Sequence, residues 1–329
     1  MHDIAQSRLH TLSRPKSIPF CEHYAGAPRY VAKALSHQTI ATYPFDVTID
    51  LEDGAPIGQE RAHLEEVVAV LSEHPDNGRR VGVRIHSLDS RFCDYELEWL
   101  IRHCGSRLSY LTVPKVTCAD QVKALVSTIQ RLCRSYRLPA PLPVHVLLEN
   151  RQAIRNIWSI AAVEGLETLD LGLVDLVAEY AGAIPVSAIE YPLQFEHGII
   201  CQAKTELATA AHYYGLTPAH SVTLELTREG ALRDARLARE RFGFTRMYSI
   251  HPQQIDGIVQ AMSPDPNDVA QACSVLELAE KAQWGPIGWQ GKLYDAASYR
   301  YYLSILDNAR HAGQPIPQQF GHFIQQESI

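Results

Sequence analysis

The sequence lacks the features of a disulfide-bonded, secreted protein. Its 329 residues include seven cysteines, an odd number, and no two of them form a Cys-x-x-Cys pair. Both facts argue against a disulfide framework and against a zinc site built from thiolates. Residues 1–8 contain no apolar core of the kind found in signal peptides. We therefore expect a cytoplasmic protein.

The sequence also lacks a long apolar run and an excess of basic residues. Its longest apolar segment, residues 171–184, contains Asp175 and Glu179, and these two charged residues disfavour a membrane span. Thirty Lys and Arg against 37 Asp and Glu give a net charge of −7, which disfavours nucleic acid or an anionic membrane as partner. Zinc-protease, nucleophile-elbow, P-loop and dinucleotide-binding motifs are missing too. The expected partner is a small molecule.

What the sequence does contain is a regular alternation of short β-rich segments and helical patterns. The β-rich segments are residues 17–21, 46–50, 81–85, 110–114, 144–148, 168–172, 221–224 and 245–250. From Ile18 to Thr245 the chain advances 227 residues in seven intervals, about 32 each, which suits a strand, a crossover helix and two loops. This spacing predicts an α/β fold, a (β/α)8 TIM barrel with a C-terminal helical extension.

The same patterns divide the chain into three parts. We predict an N-terminal arm at 1–15, the barrel at 16–262, and a C-terminal helical lid or oligomerisation arm at 263–329. Helical periodicity predicts outer helices at 56–71 and 119–132, and extension helices at about 268–282 and 296–312, the last preceded by a Gly/Pro/Trp-rich loop. The longest interval, between the sixth and seventh strands, predicts an insertion at 183–197 near the barrel mouth.

Polar residues at the carboxyl ends of the predicted strands are the candidates for function, because barrel active sites form there. Glu149 and Asp175 adjoin apolar runs, where an unpaired carboxylate is costly. A bound Mg²⁺ removes that cost. The alternative is that Glu149 caps the following helix and that Asp175 is a first-turn acid of its own helix.

The other candidates are basic residues and a second group of acids. Arg84, on an apolar strand, needs a carboxylate or a substrate anion, and Glu52 and Asp53 are plausible partners. Lys115 could form a Schiff base, although a single lysine is weak support for that chemistry. His251 fits a helix-start or mouth-packing residue better than a base.

Six segments in chain order resemble the citrate lyase β-subunit-like branch of the HpcH/HpaI aldolase family. They are Asp50-Leu-Glu-Asp-Gly, Val83-Arg84, Val113-Pro-Lys115, Leu148-Glu149, Leu171-Gly-Leu-Val-Asp175 and Ser249-Ile-His-Pro-Gln-Gln-Ile. The resemblance implies a (β/α)8 barrel with a helical arm, assembled as a trimer or hexamer. It also implies Mg²⁺-dependent cleavage or formation of C–C bonds in acyl-CoA substrates such as malyl-CoA and citramalyl-CoA, giving a 2-oxo acid and an acetyl thioester.

The resemblance assigns roles to individual residues. Glu149 and Asp175 match the family's metal ligands, with Glu149 also facing substrate, and Arg84 matches its substrate-binding and catalytic arginine. Gly291-Lys-Leu-Tyr-Asp295 corresponds to a segment whose Asp enters a neighbouring subunit's site as acid or base. Without the resemblance, Asp295 would be interpreted as a helix cap. Glu52 and Asp53 match acids that hold the arginine and the waters on the metal.

Two departures from the family pattern bear on the thioester carrier. Relatives open with Arg-Ser-x-Leu-Phe-Val-Pro where this chain has Lys16-Ser-Ile-Pro-Phe-Cys-Glu-His, and they carry Gly-Lys where it has Arg246-Met247. CoA phosphates could still meet Lys16, Arg29 and Lys33. Two alternatives therefore stay open: a class II-type aldolase acting on free 2-oxo acids without CoA, and a non-catalytic barrel subunit of a larger complex.

Overall fold

The computed structural model describes residues 18–55 and 57–324, which divide into two compact units. One unit spans Pro19–Met262, and the other contains the chain from Ser263 onward. The expected N-terminal arm at 1–15 lies outside the described residues. Within them, no helix is both long enough and apolar enough to cross a membrane.

The first unit is a closed barrel of parallel strands. The strands are Cys21–Ala25 (β1), Asp46–Asp50 (β2), Val81–Arg84 (β3), Tyr110–Val113 (β4), Val144–Leu148 (β5), Leu166–Leu171 (β6), Thr217–His220 (β7) and Arg246–Ser249 (β8). Each pairs with the next along the chain, and β8 closes on β1 through Cys21 opposite Met247. The predicted (β/α)8 barrel is confirmed.

Helices follow the strands and form the outer ring. They are Pro28–Ile40 (α1), Glu60–Glu73 (α2), Cys93–Cys104 (α3), Ala119–Ser135 (α4), Arg151–Arg155 (α5), Ile157–Ala161 (α6), Leu173–Ala178 (α7), Gly198–Tyr213 (α8), Arg228–Phe242 (α9) and Pro252–Met262 (α10). In α4 the predicted stripe, from Val122 through Leu125 and Ile129 to Leu132, is buried. Helix α2 begins at Glu60, later than the predicted start at residue 56, because a turn follows β2.

The predicted position of the first strand was wrong by several residues. The apolar side chains within residues 17–21 predict a strand there, whereas β1 runs from Cys21 to Ala25. Its inward-facing Glu22 accepts hydrogen bonds from Thr48 and Arg246 inside the barrel. A strand whose interior positions are polar escapes a search for apolar runs.

The seventh strand was also misplaced. The β-branched segment 221–224 is loop, where Gln254 Nε2 donates to the Thr223 carbonyl, and β7 is the preceding Thr217–His220. Pro218 within β7 argued against a central strand, since proline cannot donate to the ladder. Here its carbonyl still accepts from the Thr245 amide.

Between Ser263 and residue 324, the second unit contains two α-helices, a hairpin and a short 3₁₀ helix, Gln318–Phe323. Helix α11 (Pro266–Lys281) starts at an Asp265 cap, and α12 (Ala296–His311) follows the antiparallel strands Ile287–Trp289 (β9) and Lys292–Tyr294 (β10). Both helices were predicted from the sequence. The hairpin was predicted as a loop, because glycines and a proline such as Pro286 are typical of loops. The two helices bury apolar side chains such as Leu276 and Leu306 against each other.

The insertion between β6 and α8 contains two short 3₁₀ turns, Val186–Ile189 and Leu193–Phe195. Its Ile184 and Ile189 pack against Leu173 of α7. The helix that carries Asp175 is therefore backed by an apolar cluster, which limits the movement of that helix.

Candidate active site

Strand register places an arginine beside an aspartate at the barrel mouth. Asp50 and Arg84 are paired residues at the ends of β2 and β3. The guanidinium donates twice, from Nε to Asp50 Oδ1 at 2.8 Å and from Nη2 to Oδ2 at 2.6 Å. Burial alone lowers the arginine pKa, but Asp50 outweighs it and raises that pKa well above its ordinary value. Arg84 is thus a fixed, permanent cation.

The predicted partners of Arg84 are present but lie farther away than Asp50. Its Nη1 is 3.4 Å from a Glu52 carboxylate oxygen and 3.8 Å from an Asp53 oxygen. Asp50 itself is held by the backbone N–H groups of Glu52 and Gly54 at 3.1 and 2.8 Å. Sequence reasoning missed this role of Asp50, although its position opposite Arg84 in parallel strands could have indicated it.

Lys115 follows β4 with a left-handed backbone, φ 56°. Its ammonium donates to Glu52 and lies 3.6 Å from an Asp53 oxygen. Partial burial lowers the lysine pKa, but the hydrogen bond and charge of Glu52 outweigh it, so the pKa is raised. A lysine held as a cation is a poor nucleophile, which argues against the Schiff-base alternative.

Glu149 follows β5 directly and is buried. Its Oε1 accepts the Lys115 backbone N–H at 2.8 Å. Burial, and then the negative charge of Asp175, raise the pKa of the Glu149 carboxyl to about 8. The negative charge of Asp175 therefore disfavours the ionised form of Glu149.

The alternative in which Glu149 caps a helix is wrong. Asn150 caps α5 instead, since its side chain accepts the Ala153 backbone N–H at 2.8 Å. Asp175 does lie in the first turn of α7. Glu149 and Asp175 both line a cavity of about 830 Å³, together with Lys115, Asn150 and residues of the next helices. A buried carboxyl with a second acid beside it is a donor set that suits a divalent cation.

A second cavity, of about 750 Å³, lies on the β1 and β8 side. Its lining includes Tyr30, Lys33, Asp50 and His251. His251 directly precedes α10, and its Nδ1 accepts the Gln253 backbone N–H at 3.3 Å, as expected of a helix-start residue. Arg29 donates to the Tyr30 hydroxyl at 2.9 Å. Lys16 lies outside the described residues.

Asp295 is placed in the second unit, as the N-cap of α12. One carboxylate oxygen accepts the backbone N–H groups of Ala297 and Ser298 at 3.0 and 3.3 Å. The cap that the motif alone would suggest is therefore present. A role for Asp295 in a neighbouring subunit stays a prediction.

A closed parallel barrel with this polar mouth belongs to the class of (β/α)8-barrel enzymes. The sequence pattern of the HpcH/HpaI aldolase/citrate lyase family matches residues 30–252, which is most of the barrel unit. The chain therefore belongs to this family and is a carbon–carbon lyase by class. The resemblance inferred from the motifs is confirmed.

Three other proteins are similar to this chain in sequence or in structure. A citrate lyase crystal structure from Burkholderia xenovorans LB400 has a TM-score of 0.85 and 37% identity, covering 96% of this chain and 98% of that one. An L-malyl-CoA/beta-methylmalyl-CoA lyase of Cereibacter sphaeroides is 25% identical over 84% of this chain and 91% of its own. Protein CitE from Mycobacterium tuberculosis, in complex with magnesium, acetoacetate and coenzyme A, has a TM-score of 0.69 at 23% identity and covers 90% of this chain and 99% of its own.

Proposed function

We propose that the chain is a Mg²⁺-dependent lyase that cleaves or forms a β-hydroxyacyl-CoA ester such as malyl-CoA or citramalyl-CoA. The products of cleavage are a 2-oxo acid and an acetyl thioester. The observation that carries the proposal is that Glu149 and Asp175 line one cavity together with Lys115. Lys115 and Arg84 both contact Glu52, and Arg84 is held by Asp50. Two acids and two cations therefore form one connected group at the barrel mouth. The names of similar enzymes, the malyl-CoA lyases, support the choice of substrate class.

Glu149 and Asp175 are the residues that would hold the metal. Glu149 has a pKa raised by burial and by Asp175, so a cation between the two carboxylates relieves both costs. Mg²⁺ is commonly bound by one or two carboxylates, with substrate and water oxygens in its other positions. When bound, it supplies Lewis-acid stabilisation of oxygen charge on the substrate.

The protein groups orient the substrate and stabilise charge. In cleavage, the hydroxyl of the β-hydroxyacyl group loses its proton, the bond between its α and β carbons breaks, and the β carbon becomes the carbonyl of the 2-oxo acid. The electron pair of that bond passes into the thioester as an enolate, which takes a proton on carbon. Arg84, fixed by Asp50, offers its charge to the substrate oxygens, as planar guanidinium groups do for carboxylates.

We assign delivery of that proton to Asp295 of a neighbouring copy in a trimer or hexamer. The unit from Ser263 onward would then act as the arm that brings it there. Both cap hydrogen bonds of Asp295 are accepted by Oδ1, so its other carboxylate oxygen, Oδ2, takes part in neither. An acid of this kind acts once water is excluded from the site.

We assign the CoA carrier to the second cavity. Lys33 and Tyr30 line it, and Arg29 donates to the Tyr30 hydroxyl, so cationic side chains are available for phosphate groups. Asp50 lines the same cavity and holds Arg84. A thioester bound there would extend towards the acidic mouth.

The test is turnover of malyl-CoA, citramalyl-CoA and the matching free hydroxy acids, each with and without Mg²⁺. We expect turnover of a CoA ester that depends on Mg²⁺ and is lost in Asp175→Asn. Glu179→Gln is the matched control, because Glu179 lines the same cavity yet contacts Arg151. Equal turnover of free acids would favour the aldolase alternative. No metal-dependent turnover of any of these compounds would contradict the proposal.

A further inference from the structure

The barrel interior contains a second group of potential ligands, separate from the mouth. Glu22 of β1, His145 of β5 and Asp170 of β6 are fully buried. One ligand atom from each lies within 4.8 Å of the other two. His145 precedes Glu149 by four residues, about 13 Å along a strand. This cluster is therefore distinct from the proposed Mg²⁺ site.

His145 is oriented as histidine ligands of metals are. Its Nε2 is 2.9 Å from Glu167, and its ring stacks on Tyr110 with centroids 3.9 Å apart. The other nitrogen, Nδ1, has no hydrogen-bond partner among the described residues and lies 3.8 Å from a Glu22 oxygen. A carboxylate on one ring nitrogen fixes the ring so that the other can bind a metal.

A β-bulge makes this arrangement possible. Val144 pairs with Leu166 and His145 with Thr168, so Glu167 is skipped in the register of β5 and β6. Residues 167 and 170 would face opposite sides of a regular strand, because side chains alternate. The bulge lets Glu167 and Asp170 both reach the interior. Glu167 contacts Nε2 of His145, and Asp170 lies with Glu22 near the same imidazole.

Asp170 is the unpartnered member of the cluster. Neither of its carboxylate oxygens makes a hydrogen bond of normal geometry within residues 18–55 and 57–324. Burial, and then the charge of Glu22, raise the pKa of this carboxyl to about 7, although the charge of His145 and the nearby Thr168 hydroxyl act in the opposite direction. A buried carboxylate without partners is costly unless a proton or a cation neutralises it.

The charges around the cluster do not balance without such a partner. The carboxylates in and around the cluster are Glu22, Asp46, Glu167 and Asp170. The guanidinium groups of Arg80 and Arg246 pair with the first three of these. Burial lowers the pKa of His145, but Glu167 and Glu22 outweigh it and raise that pKa to about 9, so four negative and three positive charges leave a net charge of −1 in the metal-free cluster. A divalent cation that displaces the His145 proton neutralises the cluster, and so does one further proton on Asp170.

We propose that Glu22, His145 Nδ1 and Asp170 bind a divalent transition-metal ion, for which Zn²⁺ is the first probe. An imidazole nitrogen with two carboxylates suits zinc, whereas Mg²⁺ prefers oxygen ligands alone. Donors about 2.0–2.2 Å from a tetrahedral ion lie about 3.4 Å apart, so distances of up to 4.8 Å between the ligand atoms must shorten by up to about 1.4 Å. Glu22 would give up one of the hydrogen bonds that it accepts from Thr48 and Arg246. Because the site is enclosed, the ion would enter as the barrel folds and would stabilise the folded state.

The test is metal content measured by elemental mass spectrometry on the full chain. The protein is refolded with Zn²⁺, dialysed against EDTA and desalted. We expect about one zinc per chain, a loss to below about 0.1 in Asp170→Asn, and retention in Asp175→Asn, which alters only the mouth. The unmutated protein refolded with zinc should also have a higher Tm than protein refolded with EDTA.

Two results would overturn the proposal. One is less than about 0.1 metal per chain in unmutated protein refolded with Zn²⁺, Mn²⁺ or Fe²⁺, which would mean that protons neutralise the cluster. The other is zinc that Asp175→Asn loses, which would place the ion at the mouth. If Asp170→Asn does not fold, the unmutated and Asp175→Asn proteins still decide between these outcomes.

Discussion

Gly172, between β6 and α7, leaves the space that Glu149 occupies. A Cβ added to it would lie 2.4 Å from the Glu149 Cβ and 2.5 Å from its Oε2. Its backbone, φ −96° and ψ 88°, is not in the left-handed region, so alanine is not excluded by backbone conformation. The effect of Gly172→Ala should therefore be almost entirely on the position of Glu149.

The size of the effect follows from the overlap. Ordinary contact begins at 3.4 Å, so the two carbons must separate by 3.4 − 2.4 = 1.0 Å. Overpacking of this kind costs about 1–3 kcal/mol of stability. Displacing a group at the reaction centre by about 1 Å lowers the rate on the order of a hundredfold. We expect a folded protein with a large loss of kcat/KM.

The assay is Mg²⁺-dependent cleavage of whichever acyl-CoA the unmutated enzyme turns over, together with Tm by circular dichroism. A higher Mg²⁺ concentration for half-maximal rate is also expected, since Glu149 is a proposed ligand. Gly198→Ala is the control, because among the described residues no atom beyond its chain neighbours and its own helix backbone lies within 4 Å of the added Cβ. Unchanged kcat/KM and Mg²⁺ dependence in a folded Gly172→Ala protein would refute the role given to Glu149.

Three further predictions concern Arg84, Lys204 and Asp295. Arg84→Lys keeps the charge but loses the bidentate fork, so kcat should fall about ten- to a hundredfold in steady-state kinetics; a normal kcat would assign the ion pair a structural role. Burial lowers the pKa of Lys204 to about 7, so the unfolded chain binds more protons between about pH 7 and 10.5 and this residue makes stability rise with pH there. Chemical denaturation of Lys204→Met should show a smaller rise than the unmutated protein, and parallel curves would contradict this. Mixing inactive Asp295→Ala and Asp175→Ala proteins should restore activity if the site is shared between subunits; no recovery after verified subunit exchange would leave only a helix cap, worth about 0.5–2 kcal/mol.

Sequence patterns were sufficient for most of the barrel because most strands carry apolar runs. The bounds of β2 and β5 were predicted to the residue, and α4 followed from its apolar stripe. The failures at β1 and β7 have different origins. Strand β7 contains Pro218, which argues against a central strand. Strand β1 has one face inside the barrel, and that face contains the charged Glu22, so the expected alternation of apolar and polar residues is inverted.

The candidate site was predictable in part for a different reason. Parallel strands bring their carboxyl ends to one rim, so Arg84, Glu149 and Asp175 could be assigned to a common mouth without coordinates. Which carboxylate faces which cation depends on register and on loop conformation. The sequence therefore suggested Glu52 and Asp53 for Arg84, whereas the bidentate partner is Asp50.

The hydrogen bonds of the two strand-end carboxylates distinguish their functions. Each oxygen of Asp50 accepts from one Arg84 nitrogen and from one backbone N–H, of Glu52 or of Gly54, so its capacity is taken up by orienting the arginine. Glu149 accepts the Lys115 N–H through Oε1, which leaves Oε2 towards the position cleared by Gly172. A carboxylate with four donors is a positioning group, because a metal would have to displace one of them. Within the described residues, Glu149 uses only Oε1 for a hydrogen bond, so its Oε2 is available to bind a cation. Its burial explains why a cation there would be stabilising.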